Sequence, residues 1–91
     1  METIYKYQLT KEPYIKVMMP MEAQILCVQI DKKDNTPCIW AVVDTEDELE
    51  ERFFEIIGTG KSIHRDMGIE RKYIGTFQEI PFVWHLFERI N

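Results

Sequence analysis

Apolar and polar residues alternate with a period of two along most of this chain, the pattern of half-buried β-strands rather than of helices. In a first run, residues 3–9, Tyr5, Tyr7 and Leu9 share one face and Lys6 and Gln8 the other. Lys11-Glu12-Pro13 interrupts it, and residues 14–19 resume with Ile15, Val17 and Met19 set against Tyr14, Lys16 and Met18, which predicts two strands joined by a short turn. Pro20 ends the second run. The third, residues 23–31, sets Leu26, Val28 and Ile30 against Ala23, Ile25 and Cys27; apolar on both faces, it reads as a central strand. Lys32-Lys33-Asp34-Asn35 is a compact polar turn into a fourth run, residues 37–43, so strands three and four form an antiparallel hairpin with a charged tip.

Residues 45–57 carry two competing signals. Thr45 followed by Glu48 matches a capping box, and Leu49, Phe53 and Ile56 or Ile57 keep helical spacing, while Phe53-Phe54-Glu55-Ile56-Ile57 is rich in strand formers and stops at Gly58. The balance predicts an acidic loop with at most one helical turn over residues 45–51, then a strand over 52–57. A polar excursion, residues 58–71, precedes two last strands at 72–78 and 82–89. Turn signals at near-regular spacing predict an all-β domain, residues 1–91, built as a small antiparallel sandwich or barrel of six to seven strands. Open sheets leave edges, and self-association through strand one or strand seven is expected, which predicts a homo-oligomer.

With 45% hydrophobic and 12% aromatic residues among 91, the chain can form one modest core without disulfide or metal support. A net charge of −5 argues against a groove for long nucleic acid, where basic side chains supply most of the affinity, and suits a basic protein partner instead. Cys27 and Cys38 lie in apolar runs outside any C-x-x-C spacing and read as small buried hydrophobes, so a cytoplasmic location is expected. No apolar stretch long enough to cross a membrane occurs, and no secretory leader pattern opens the chain.

Gly58-Thr59-Gly60-Lys61-Ser62 completes only the end of the phosphate-loop pattern, for Glu55 stands where its first glycine belongs. The glycines instead predict a turn needing positive φ at Gly58 or Gly60. His85, in a strand opposite Trp84, and His64, beside Arg65 and Asp66, have no nucleophile or acid at motif spacing. No catalytic residue, metal set or cofactor is therefore expected. The acidic run Asp44, Glu46, Asp47, Glu48, Glu50 and Glu51 lacks the glycine and alternating ligands of a calcium loop and reads as a solvated edge. Two tryptophans, four tyrosines and five phenylalanines exceed what one small β core encloses, which places some of them at a groove or an interface.

The strings TIYKYQL, ILCVQI, TPCIWAVVD, FEIIGTGKSI, YIGTFQ and FVWHLFE, in that order, resemble a family of short proteins of uncharacterised function found largely in bacteriophages and prophages. The resemblance covers nearly the whole chain. It implies an accessory factor acting in the bacterial host cell, against its defences, by binding. Two forms of that expectation rest on different residues, the first leading and the second its alternative. One is capture of a nucleotide-like signal by Trp40 and Trp84 with Gly58, Thr59, Gly60, Lys61, Ser62 and Arg65, which combine rings with local positive charge. The other is an inhibitor whose Glu46, Asp47, Glu48 and Glu50 occlude a basic nucleic-acid-binding surface of a host protein.

Overall fold

A computed structural model describes residues 1–90, and these fold into seven antiparallel strands in two sheets, with no helix among the described residues. The first sheet has the order β1 (Glu2–Gln8), β4 (Thr36–Asp44), β3 (Gln24–Asp31); the second has the order β2 (Tyr14–Pro20), β5 (Leu49–Gly58), β7 (Phe82–Ile90), β6 (Glu70–Glu79). Alternation delivers one face of each sheet to a shared core: Ile39, Ala41 and Val43 from β4 meet Phe54 from β5, Leu86 from β7, Phe77 from β6 and Met19 from β2. Of the sandwich and barrel that the periodicity left open, the fold is the sandwich. Its thinnest extent is 17 Å, room for two sheets roughly 10 Å apart and no chamber between them.

The differences from the sequence reading each have a physical cause. Strands one and two do not pair with each other; the chain crosses from one sheet to the other at residues 9–13, because β1 lies against β4 and β2 against β5. The central strand of the first sheet is β4, and β3 is an edge strand. A bulge between Ile25 and Cys27 explains the apolar residues on both its faces, as it turns Leu26 outward and brings Ile25, Val28 and Ile30 to the core together. Strand seven is interior, flanked by β5 and β6. Residues 45–47 form a turn rather than a helical one, and β5 starts at Leu49, three residues early, because Leu49, Glu50 and Glu51 find ladder partners in Pro20, Met19 and Met18. Thr45 binds Met1 O through its hydroxyl (3.2 Å) and its N–H (2.9 Å) instead of capping a helix.

The sheets meet most closely where β3 faces β6. A Cβ on Gly75 would lie 2.8 Å from Val28 Cγ1, so this strand position accepts only glycine without a shift. Both facing strands are bulged there, β3 at Leu26 and β6 at Ile74. The bulges bend the two edges toward one another.

Candidate functional site

The glycine turn is built around Trp84. Gly58 is the ladder partner of Trp84, and a Cβ on it would sit 3.0 Å from the indole and 3.3 Å from Lys61 Cγ, so close approach rather than backbone freedom calls for glycine here. The positive φ falls at Gly60, at 84°. Two of the N–H groups that an anion would need are spent, Thr59 N on Val83 O (3.1 Å) and Lys61 N on Gly58 O (3.0 Å). Trp84 packs half-buried against the core, bordering a hollow of about 100 Å³ shared with Lys11, Pro37, Ile56, Phe77 and Glu79. Trp40 lies on the opposite sheet, a half-buried residue between Lys6 and Cys27 whose neighbours Ile39 and Ala41 face the core, so it points away from the turn. Ser62 and Arg65 are exposed on the loop. The structure thus joins Gly58, Lys61 and Trp84 and leaves Trp40 apart.

Beyond the turn, the loop folds back over the outer face of the second sheet. Glu55, 4% exposed, accepts from Arg71 Nε at 2.8 Å and Arg89 Nη1 at 2.7 Å, joining β5, β6 and β7. Asp66 from the loop accepts from Arg89 Nη2 at 2.7 Å, and Arg71 Nη2 also donates to His64 O at 2.6 Å. The Arg89 guanidinium holds the Asp66 carboxyl below its ordinary range. Two carboxylates and two guanidiniums cancel, and Arg89 rests over the Tyr14 ring at 5.2 Å. Beside them a chain of hydroxyls runs through His85, from Thr59 Oγ1 (2.8 Å to Nε2) to Thr76 Oγ1 (3.0 Å to Nδ1) and on to the Tyr73 hydroxyl (2.6 Å from Thr76). The polar excursion is in this way divided: Arg71 at its end is an internal strut, while Lys61 and Arg65 stay in solvent.

The acidic run gains members from elsewhere in the chain. Antiparallel pairing sets Glu2 opposite Asp44. The β2–β3 turn docks on the β4–β5 turn through Met21 N to Glu48 O (2.8 Å) and Glu22 N to Glu50 Oε2 (3.0 Å). Glu2, Glu22, Asp44, Glu46, Asp47, Glu48, Glu50 and Glu51 therefore share one end of the sandwich, most of them exposed. A shallow hollow of about 290 Å³ there is bordered by Glu2, Glu22, Asp44 and Asp47 with no lysine or arginine. The N-terminal amine, 3.1 Å from Asp44 Oδ1, and Lys16, 3.1 Å from Glu51, offset only part of this charge. Together with the Glu46 N–H, the amine lowers the pKa of Asp44, the N–H contributing more. Arg52 is turned inward, held by Glu88 and donating to Ala23 O at 2.9 Å, with its Nη1 4.0 Å from Glu50. Exposed Met21 and Leu49 stand among the carboxylates. Sequence reading found the run from 44 to 51 but not Glu2 and Glu22, whose only signal was acidity next to a strand end.

Glu22 has φ 62°, a left-handed conformation that glycine or asparagine adopts at less cost. A carboxylate is thus held at the tip in spite of backbone strain. Among the described residues no cluster of histidine, cysteine, aspartate and glutamate is arranged to hold a metal ion. Among the described residues no helix is long and apolar enough to cross a membrane.

Residues 1–91 match a family described as a domain of unknown function, DUF7352, and the protein belongs to that family. No curated protein and no solved structure matches the chain.

Proposed function

We propose that the protein is a non-enzymatic accessory factor of phage origin that covers a basic, nucleic-acid-binding surface of a host protein with the acidic end of its sandwich. The observation that carries this reading is the convergence of eight carboxylates from three chain segments on one end, around exposed Met21 and Leu49. Such a field steers a basic partner into place and repels nucleic acid, and the two apolar side chains provide anchors that charge alone lacks. The strained Glu22 supports it, since strain persists where function holds it. Phage origin rests on the shared motif strings of the chain.

The nucleotide-capture reading keeps Lys61 beside Trp84, but its hollow of about 100 Å³ falls short of the roughly 300 Å³ typical of small-molecule sites. The deciding experiment is competition. Immobilised protein is offered host proteins pre-selected on heparin, and bound material is eluted with duplex DNA. Retention that duplex DNA and salt release, that Glu46, Asp47, Glu48 and Glu50 changed together to lysine abolish, and that Lys61→Glu with Arg65→Glu leaves intact is the expected result. A nucleotide that raises the melting temperature through Lys61, with no DNA-competed partner, overturns it.

A further inference from the structure

We infer that β1 is a dimerisation edge, pairing antiparallel with β1 of a second copy of this chain to join the two three-stranded sheets into one of six strands.

Sheet edges are normally blunted by prolines, bulges or covering elements, and three of the four edges here are. Strand β2 is bracketed by Pro13 and Pro20, while β3 and β6 are bulged and lie against each other. Strand β1 has seven residues in unbroken register with β4, no proline and no bulge. Its one internal lysine, Lys6, is drawn across the sheet to Asp31 on β3. Ile4 on the same face is 56% exposed.

Backbone parity selects the pairing. Leu9 N donates to Pro37 O and Thr45 N to Met1 O, so the odd residues of β1 turn their amide groups to β4. Alternation then turns those of Glu2, Ile4, Lys6 and Gln8 to the open edge. A two-fold axis through Ile4 sets Ile4 opposite Ile4 of the second copy and Glu2 opposite Lys6 in both directions. All three pairs are backbone hydrogen-bonded in that register, with no like charges opposed and the exposed isoleucines in contact. The alternative axis at Tyr5 also satisfies parity, but it places Lys6 against Ile4 and Glu2 against Gln8. The strands run antiparallel across the axis, so the acidic ends of the two copies point in opposite directions and the dimer is bivalent.

The test is sedimentation of the full chain at micromolar concentration, with twice the 10.9 kDa chain mass expected. Ile4→Pro removes an N–H that the monomer does not use in its own ladder, and should weaken dimerisation at least about tenfold while the circular dichroism stays that of a β protein. Ile4→Cys should cross-link on mild oxidation, because hydrogen-bonded partners stand about 5.5 Å apart at Cα, within disulfide reach. This cross-link decides the matter should Ile4→Pro unfold. A monomer throughout the range overturns the inference, as does a dimer that neither Ile4→Cys nor Tyr5→Cys cross-links; cross-linking through Tyr5→Cys alone overturns the Ile4 register.

Discussion

The latched outer face of the second sheet and the acidic end use the same residue types to opposite effect. On the face, Glu55 and Asp66 meet Arg71 and Arg89 in equal number, and the buried Glu55 carboxylate has two guanidinium partners. At the end, eight carboxylates from Glu2 to Glu51 face only the N-terminal amine, Lys16 and, at 4.0 Å from Glu50, Arg52, and most stand in solvent. Matched charge removed from water holds strands and a loop in place; unmatched charge left in water does little for the fold and remains available to a partner. Local acidity therefore does not distinguish a strut from an open charged surface. The pairing does.

Removing Glu55 tests the first half of this contrast most severely. Glu55→Ala leaves Arg71 and Arg89 with Asp66 as their one carboxylate on a covered sheet, and about 3 kcal/mol of stability should be lost. For a chain of this size that lowers the melting temperature by about 12 °C or more, whereas Glu46→Ala should change stability by no more than about 0.5 kcal/mol. Similar losses in the two variants would dissolve the distinction.

A smaller effect of opposite sign is expected at the acidic end. Glu22→Gly relieves the left-handed backbone and should stabilise the protein by about 1 kcal/mol in denaturant unfolding. The same change should weaken partner capture. A glycine variant that is both more stable and fully active would remove Glu22 from the site.

Acidification separates loop from sheet. The pKa of Asp66 is lowered by Arg89, so its contribution is fully present above the unfolded value of about 4 and is lost as pH falls through the folded one. Hydrogen exchange over residues 59–69 should accelerate in that acidic window, with Asp66→Asn producing the faster exchange already at neutral pH. Unchanged exchange in Asp66→Asn would show that the loop is held by other contacts.

Salt provides the gentlest probe. Screening relieves repulsion among the end carboxylates, so moderate sodium chloride should raise stability by a few tenths of a kcal/mol in the native chain. The variant with lysine at 46, 47, 48 and 50 should lose that increment. An equal gain in both would place the repulsion elsewhere.

Periodicity in this chain was enough for the class of fold. Alternation in residues 14–19 and 37–43 says which side chains face inward, because a strand's period of two is local and survives whatever it pairs with. The β3–β4 hairpin was equally legible, as a four-residue polar turn brings its flanks together without help from the rest of the chain. Pairing between distant strands is another matter. That β1 joins β4 and not β2, that β3 is an edge strand with a bulge at Leu26, and that Leu49 extends β5 were decided by which backbone edges and apolar faces the assembled sheets had left to satisfy. The acidic end shows both sides. Residues 44–51 announce it in sequence, but Glu2 and Glu22 join only through ladder register and docked turns, and Arg71 is taken from the basic loop only because Glu55 and Asp66 meet it in space. Charge sign is written residue by residue; whether a charge is neutralised depends on its neighbours at a few ångströms, and those come from strands far apart in the chain.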